Sequence, residues 1–383
     1  MAARIDFMYF DAGGGHRAAA TALESVIAAQ RRPWAVRLVN LQEVLDETDL
    51  VRKYTGLRAQ DTYNRLLERG WTVGSAQLLK LLQLGIRVVR KAQVRTLGRY
   101  WGNAPPDMVV SLVPNFNRTL YAAFARANPG APYVTVLTDL ADYPPHFWIE
   151  RQDQWVICGT GRAERQARAM GIPKAKVLRA SGMILRPHFY EPVEVDRASE
   201  RRRFGLEPDR PTGLVMFGGH GSPAMLRIAE GLQRTGRELQ LICLCGRNDA
   251  LAGRLRALPS RFPIHVEGFT REVPYFMKLA DFFIGKPGPG SISEAIAMNL
   301  PVIVQRDWRT LPQERYNADW IVEHGVGTVV SRYREIPAAV ERLIEPRTLD
   351  RHRSACAAME NRAVFEIPKM LDRILAAGSA GVV

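Results

Sequence analysis

Short apolar runs recur along the chain and alternate with helical patterns and long connections. They occupy 5–10, 36–39, 108–112, 133–137 and 155–158 in the first half, and 214–217, 239–245, 264–267, 282–285 and 301–304 in the second. Runs of this length are typical of parallel strands buried on both faces. They predict two doubly wound α/β domains, 1–195 and 196–360, followed by a helix over 361–383 that crosses back to the first. Ligands bind such sheets at the carboxyl ends of the strands, so we expect the active site in the cleft between the domains.

Composition limits the class of protein. The 383 residues are 46% hydrophobic, and no apolar stretch reaches the roughly 18 residues of a transmembrane helix. Arg4 and Asp6 occupy the region where a signal peptide needs its apolar core. The four cysteines contain no C-x-x-C pair, which argues against a disulfide framework or a zinc site. We therefore expect a globular cytoplasmic protein without a bound metal.

The positive charge is concentrated in one segment. The net charge is +14, and residues 51–100 hold eleven Lys and Arg against only Asp61 and Glu68. A charge of this size implies an anionic partner. The sequence shows no helix-turn-helix and no RNA-binding aromatic signature, so a nucleic-acid partner is not expected.

A helix is predicted over 78–100, and its spacing separates two faces. One face carries the cations Lys80, Arg87, Lys91 and Arg95. The opposite face is apolar, with Leu78, Leu82, Ile86, Val89 and Tyr100. Trp71 and Trp101 flank the segment, and no acidic residue lies between them. The pattern predicts docking on an anionic membrane surface, with the apolar face among the lipids and Trp71 and the cations at the headgroups. An ordinary surface helix packed on its sheet is the alternative.

A glycine loop follows the first predicted strand. Gly13, Gly14 and Gly15 allow close approach to the backbone, and they precede a helix whose N-terminus favours negative charge. His16 stands at the start of that helix, and an imidazole titrates in the range that suits a general base. The sequence predicts a phosphate or acceptor loop with His16 as the base, and a simple turn is the alternative.

Two loops in the second half also follow strands and precede helices. Residues 217–222 read Phe-Gly-Gly-His-Gly-Ser, and the backbone amides of such a turn can hold a diphosphate. Residues 285–294 supply a cation, backbone amides, a hydroxyl and a carboxylate through Lys286, Gly288, Gly290, Ser291 and Glu294. Polar side chains at 313–317 follow the next strand. Together they predict a nucleotide-sugar pocket with Glu294 on the ribose hydroxyls, and a plain strand-to-helix turn is the alternative for each.

Motifs spread over nearly the whole chain form a specific set. The second half contains Glu267-Gly-Phe-Thr, the stretch 280–296, Leu300-Pro-Val-Ile-Val and Pro312-Gln-Glu-Arg-Tyr-Asn317. The first half contains the stretch 11–17, Thr138-Asp139-Leu140 and the stretch 182–187. In this order they resemble the monogalactosyldiacylglycerol synthases of glycosyltransferase family 28. The peptidoglycan N-acetylglucosaminyltransferase that forms lipid II is a more distant relative.

The resemblance implies a GT-B fold of two Rossmann-like domains. It also implies a UDP-sugar donor held mainly by the C-terminal domain, and a membrane lipid approached through the N-terminal domain. By position in the motifs, Gly218, Gly219 and Ser222 would hold the diphosphate, and Glu294 the ribose hydroxyls. Gln313 and Glu314 would contact the sugar hydroxyls, and His16 would activate or orient the acceptor hydroxyl.

The expected reaction is an inverting transfer of galactose or glucose from a UDP-sugar to diacylglycerol or a related lipid. The enzyme would attach peripherally to the cytoplasmic face of the membrane. Helix N-termini after Ser222 and Gly290, with Lys286, would stabilise the leaving diphosphate, so no obligatory metal or cofactor is expected.

The general base and the function class each keep an alternative. The stretch from Thr138 to Trp148 departs from the plant-type pattern. This departure leaves His146 or an aspartate as an alternative base, and Asp139 or Asp142 as a group that orients His16. A polyprenyl-linked acceptor and a UDP-sugar 2-epimerase are the other candidate functions.

Overall fold

The computed structural model describes residues 2–11, 14–46, 75–102, 104–143 and 146–379. The chain divides into two compact units. The N-terminal unit comprises 1–187, 311–313 and 361–383, and the C-terminal unit comprises 188–310 and 314–360.

The described part of the N-terminal unit contains six parallel strands in one sheet. The strands are β1 (Ala3–Tyr9), β2 (Trp34–Asn40), β3 (Met108–Ser111), β4 (Tyr133–Val136), β5 (Trp155–Cys158) and β6 (Val177–Arg179). The helices are α1 (Gly15–Ala29), α2 (Leu41–Leu45), α3 (Ser75–Trp101), α4 (Asn117–Ala127), α5 (Gly161–Ala169) and, from the end of the chain, α14 (Ala363–Ser379).

The order of this sheet is β2-β1-β3-β4-β5-β6. The chain moves from β1 to β2 in one direction and then crosses to β3 on the other side of β1. The loops after β1 and β3 therefore leave the sheet toward opposite faces, which opens a crevice at the carboxyl ends of these strands. His16 follows β1, so the fold places it at this crevice.

The described part of the C-terminal unit contains a second sheet of six parallel strands. The strands are β7 (Thr212–Met216), β8 (Gln240–Leu244), β9 (Ile264–Glu267), β10 (Phe282–Gly285), β11 (Val302–Gln305) and β12 (Gly327–Val330). The helices are α6 (Arg197–Arg203), α7 (Ala224–Leu232), α8 (Asp249–Arg256), α9 (Val273–Leu279), α10 (Pro289–Ala297), α11 (Arg315–Glu323), α12 (Ile336–Leu343) and α13 (Pro346–Ala357).

The second sheet has the order β12-β11-β10-β7-β8-β9. The chain adds β8 and β9 on one side of β7 and then β10 on the other side, so the order of strands reverses there. The loops at 217–222 and 286–290 follow β7 and β10, the two strands that flank the crevice. Two glycine-rich segments that lie about 70 residues apart in the chain thus reach the same edge of the sheet.

The prediction of two doubly wound α/β domains is confirmed. Each apolar run contains a strand, with ends displaced by up to two residues. Strands β6 and β12 were not predicted, because both lie at sheet edges and consist of short, mixed sequences. Edge strands bury less surface, so their sequences carry a weaker apolar signal.

The C-terminal helix α14 packs in the N-terminal unit. The backbone N–H of Ser181 donates to Oε2 of Glu366 (2.7 Å), and Nδ2 of Asn361 donates to the carbonyl of Met183 (2.9 Å). A Cβ on Gly182 would lie 2.6 Å from Cγ of Asn361, so a larger residue would displace this side chain. The glycine of the 182–187 motif therefore serves the docking of this helix.

Candidate functional site

The loop after β7 turns tightly and leaves open space above its backbone. Gly218 and Gly221 have φ angles of 74° and 59°, which favour glycine. A Cβ on Gly218 or Gly219 would meet no atom within 4 Å, so a ligand can approach both residues closely. Oγ of Ser222 accepts a hydrogen bond from the N–H of Ala224 (3.2 Å) at the start of α7.

The neighbouring strand fixes this loop from one side. The N–H of Arg247 donates to the carbonyl of Gly219 (2.9 Å). A Cβ on Gly246 would lie 2.2 Å from that carbonyl oxygen, and Gly246 has a φ of 59°. Because the carbonyl of Gly219 is held by the loop after β8, the opposite side of the peptide backbone stays accessible to an anion.

Helix α10 presents its N-terminus at the same crevice. Gly288 is its N-cap and forms no side-chain capping bond, and a Cβ on Gly290 would meet no atom within 4 Å. The first N–H groups of a helix bind anions, and the macrodipole favours negative charge there. Ser291 and Glu294 are partly buried in the first two turns. The predicted residues of this loop are therefore brought together beside those of the loop after β7.

The segment after β11 contacts the loop after β10. Nζ of Lys286 donates to Oε1 of Glu314 (3.0 Å), and Nδ2 of Asn317 donates to the carbonyl of Pro287 (2.8 Å). Gln313 lies in the 3-10 turn Pro312–Glu314 that leads into α11. The sequence did not predict that Glu314 and Lys286 form an ion pair.

Two aromatic side chains at this edge of the sheet are exposed to solvent. Phe269 follows β9, is 53% exposed and lies under the guanidinium of Arg247 at 4.7 Å from the ring centroid. Trp308 follows β11, is 63% exposed and contacts Arg309 at 5.1 Å. Sequence reasoning gave neither a role, although Phe269 stands inside the Glu267-Gly-Phe-Thr motif.

In the N-terminal unit, His16 reaches across the crevice from α1. Its Nδ1 lies 3.0 Å from Oγ1 of Thr138, and its ring also hydrogen-bonds the backbone of Leu112. Leu112 follows β3 and Thr138 follows β4, so three strand ends meet at one imidazole. Burial lowers the pKa of His16 from its ordinary value to about 4, against the smaller effect of the Leu112 bond. The ring is therefore neutral at physiological pH and able to accept a proton.

Asp139 and Asp142 are both bonded to Trp148. Nε1 of Trp148 donates to Oδ2 of Asp139 (2.8 Å), and its backbone N–H donates to Oδ1 of Asp142 (2.7 Å). The ring of Trp148 lies 5.8 Å from that of His16, centroid to centroid. Burial raises the pKa of Asp142 to about 6.

The hydrogen-bond partner found for Nδ1 of His16 is thus Thr138, where the sequence suggested Asp139 or Asp142. Their bonds to Trp148 make both aspartates part of the wall behind His16. Sequence reasoning gave no role to Thr138 or Trp148, although both bound the stretch that departs from the plant pattern.

His146 belongs to a separate ion-pair cluster. Its Nδ1 lies 3.0 Å from Oε2 of Glu150, which also lies 3.3 Å from Nη2 of Arg118. His146 has a φ of 55°, a left-handed conformation that is strained for a residue with a side chain. Burial raises the pKa of Glu150, and the charge of Arg118 opposes that effect. Nδ1 of His146 is close to this carboxylate but makes no hydrogen bond to it, and His146 stays an alternative to His16.

Comparison with known proteins shows which proteins this chain is similar to. Residues 214–374 match the glycosyltransferase family 28 C-terminal domain. This part of the chain is therefore similar to a domain of glycosyltransferase family 28. The prediction of a resemblance to this family is confirmed.

Two plant proteins and one solved structure illustrate what this glycosyltransferase is similar to. It is 27% identical to a probable monogalactosyldiacylglycerol synthase 2 of Oryza sativa subsp. japonica, over 95% of this chain and 79% of that protein. It is 25% identical to the monogalactosyldiacylglycerol synthase of Spinacia oleracea, over 97% of this chain and 72% of that protein. The crystal structure of Acinetobacter baumannii MurG superposes with a TM-score of 0.62 at 14% identity, covering 97% of this chain and 99% of that one. The predicted GT-B fold is confirmed.

Helix α3 of the glycosyltransferase buries some residues of the predicted lipid-facing segment and exposes others. Of the predicted apolar face, Ile86 is buried and Val89 half-buried, Leu82 and Tyr100 are 41% and 38% exposed, and the Leu78 side chain lies outside the described residues. The buried side of the helix carries Ile86, Val94, Leu97 and Trp101. Trp101 is 2% exposed and donates from Nε1 to Oδ2 of Asp6 (2.9 Å). Trp101 therefore does not flank a membrane surface. A helical apolar face can pack on a core or on lipid, and here Trp101 and Ile86 are buried while Leu82 and Tyr100 stay exposed.

The outward face of α3 combines cations with exposed apolar side chains. Lys80, Arg87, Lys91 and Arg95 are exposed. Leu81, Leu84 and Val88 are 65%, 55% and 73% exposed. Spacings of three and four residues align these three in one stripe beside the cations. We call this surface the α3 stripe.

Two predicted residues, Gly13 and Trp71, lie outside the described residues. In the described ranges no helix is both long and apolar enough to cross a bilayer. The same ranges contain no group of three His, Cys, Asp or Glu side chains placed to hold a metal ion.

Proposed function

We propose that this glycosyltransferase transfers a hexose, galactose or glucose, from a UDP-sugar to diacylglycerol or a related membrane lipid with inversion. The observation that carries the proposal is the similarity to monogalactosyldiacylglycerol synthases over 95% of the chain. The names of these synthases favour galactose as the sugar and diacylglycerol as the acceptor. The crevice in the C-terminal unit supports an anionic donor, because it combines open glycine backbone with a helix N-terminus.

The donor is held mainly by groups of the C-terminal unit, and Gln313 belongs to the N-terminal unit. The backbone at Gly218 and Gly219 and the N-terminus of α10 at Gly290 bind the diphosphate, with Ser222, Ser291 and Lys286 as further donors. Glu294 accepts hydrogen bonds from the ribose hydroxyls, and Gln313 and Glu314 contact the sugar. Phe269 adds an exposed aromatic face that suits a nucleobase.

The acceptor hydroxyl is activated by His16 in the N-terminal unit. The neutral imidazole takes the proton as the acceptor oxygen forms its bond to C1 of the sugar. The bond from C1 to the diphosphate oxygen breaks at the same time, and its electron pair stays on the diphosphate. Attack from the face opposite the leaving group inverts the anomeric centre. Helix dipoles and Lys286 stabilise the departing charge.

The α3 stripe supports peripheral attachment of the enzyme to an anionic membrane surface, on the cytoplasmic face. Exposed apolar side chains beside cations bury a few methyl groups among the headgroups, and each nearby cation adds about 1 kcal/mol of attraction to anionic lipids. Such docking brings the enzyme to an acceptor that does not leave the bilayer.

The test is release of UDP from UDP-galactose and from UDP-glucose, each with and without diacylglycerol in anionic vesicles, followed by chromatography of the lipids. We expect release that depends on diacylglycerol and a new glycolipid, with UDP-galactose the faster donor. Transfer only to a polyprenyl phosphate acceptor would overturn the diacylglycerol assignment. Sugar interconversion without an acceptor would indicate a 2-epimerase.

A further inference from the structure

The loop after β10 is held by two side chains that follow β11. Nζ of Lys286 donates to Oε1 of Glu314 (3.0 Å), and Nδ2 of Asn317 donates to the carbonyl of Pro287 (2.8 Å). Lys286 and Pro287 are consecutive, so both bonds hold the same stretch of backbone. The position of the Lys286 ammonium therefore depends on residues of a different loop.

The burial of these side chains shows which side of the contact is fixed by its surroundings and which side reaches solvent. The Glu314 side chain is only 10% exposed, whereas that of Lys286 is 43% exposed, and Asn317 is fully buried. A carboxylate removed from water is stable only with a partner, and the ammonium supplies it. Glu314 and Asn317 thus form the fixed side of the contact, and Lys286 carries its charge to the solvent side.

The start of α10 leaves room for this ion pair. A Cβ on Gly288 would lie 3.2 Å from Cε of Lys286 and 3.7 Å from Oε1 of Glu314. Gly288 has φ −75° and ψ 134°, angles that any residue can adopt. The space beside the lysine, and not the backbone conformation, is what glycine provides here. The ion pair consequently packs directly against the loop that begins the anion-binding helix.

We propose that Glu314 and Asn317 are positioning residues that aim the Lys286 ammonium at the diphosphate of the donor. This inference rests on the proposed function, in which Lys286 meets the leaving group. The family resemblance assigns Glu314 to the sugar hydroxyls, and the structure adds a task that does not involve the sugar. Pairing also removes a difficulty, since an unpaired carboxylate at this place would repel the diphosphate.

The test measures the affinity for UDP, which lacks the sugar, by titration calorimetry in a double-mutant cycle. The proteins are wild type, Lys286→Met, Glu314→Ala and the double variant. We expect Glu314→Ala to weaken UDP binding about 5- to 10-fold in the wild-type background and less than about 2-fold when Lys286 is already Met, since coupled residues are not additive. A sugar contact alone predicts no change in either background.

The neighbouring Gln313→Ala is the matched control, because Gln313 stands in the same 3-10 turn and is assigned only to the sugar. It should leave the affinity for UDP unchanged. If Glu314→Ala does not fold, as judged by circular dichroism, Glu314→Gln replaces it in the cycle with nearly the same side-chain volume.

Three results overturn this inference: an unchanged or tighter UDP affinity in the Glu314 variant, an equal loss in both backgrounds, or the same loss in Gln313→Ala. Failure of the wild-type protein to bind UDP would instead overturn the proposed donor. The two proposals are therefore distinguishable in a single set of titrations.

Discussion

The two crevices have the same topological origin and opposite chemistry. In the N-terminal unit, the order in which the chain adds strands reverses beside β1. The crevice there holds a neutral histidine next to Trp148 and the Thr138 hydroxyl. In the C-terminal unit it reverses beside β7, and the crevice is lined by glycine backbone, a helix N-terminus and the Lys286–Glu314 pair.

The difference matches the two tasks proposed for these crevices, activation of the acceptor and binding of the donor. A histidine that acts as a general base must be unprotonated, and burial keeps the imidazole of His16 neutral by lowering its pKa to about 4. A diphosphate carries its charge throughout the reaction, so its site needs fixed dipoles and cations. Doubly wound sheets supply the location in both units, and the residues of the loops decide the chemistry.

Replacement of His16 should have the largest effect. We expect His16→Ala to lower kcat by about 100- to 10,000-fold, because a positioned general base contributes that much. The affinity for UDP should not change, since the donor groups lie in the other unit. Steady-state kinetics on diacylglycerol vesicles and UDP calorimetry measure both quantities.

Retention of near-normal turnover in His16→Ala would move the base to another residue. His146→Ala is the informative companion variant, because Nδ1 of His146 lies 3.0 Å from a carboxylate oxygen of Glu150. A large loss in His146→Ala together with a small loss in His16→Ala would reverse the assignment.

Replacement of Glu294 should act on the donor side alone. Loss of two charge-assisted hydrogen bonds to the ribose predicts a UDP affinity roughly 10- to 100-fold weaker in Glu294→Ala. The control uses the ligand: 2′,3′-dideoxy-UDP should bind the variant as well as UDP does, and should bind the wild type much less well than UDP. Equal binding of both ligands to the wild type would contradict the proposed contact between Glu294 and the ribose hydroxyls.

Substitution in the α3 stripe, which lies outside both crevices, should have a smaller effect. Val88→Asp should weaken binding to anionic vesicles about 10-fold, because it removes an inserted apolar group and adds a repelled charge. Val322→Asp in α11 is the matched control, since Val322 is 62% exposed and Val88 is 73% exposed. Sedimentation with vesicles measures binding. An equal loss in both variants would mean that the α3 stripe has no special part in docking.

The pH profile should show the smallest change. Because burial lowers the pKa of His16 to about 4, the imidazole remains neutral, and so able to accept a proton, as the pH falls. We expect kcat/KM to be nearly constant from about pH 8 to about pH 5 and to decline only toward pH 4. Circular dichroism at each pH shows that the protein is still folded. A decline centred near pH 6 would fit Asp142, whose pKa burial raises to about 6.

The sequence indicated most of the strands, the glycine loops and the resemblance to glycosyltransferase family 28, because each strand, loop or motif depends on a short stretch of neighbouring residues. Buried parallel strands require continuous apolar runs, and a loop such as 217–222 requires glycine wherever φ is positive. The order of the motifs along the chain sufficed to indicate the donor and acceptor halves. No knowledge of which strands are neighbours was needed for that.

Only the tertiary structure decided which side chains meet. His16 and Thr138 are 122 residues apart, and they touch because β1, β3 and β4 lie side by side in the sheet. Lys286 meets Glu314 for the same reason in the second sheet, where β10 and β11 are neighbours. On α3, an apolar face suits either lipid or a protein core, and the pattern alone cannot choose between them. Packing against the core of the N-terminal unit made that choice. Side chains such as Trp101 bury their apolar surface there, and the remaining apolar residues of α3 are exposed to solvent.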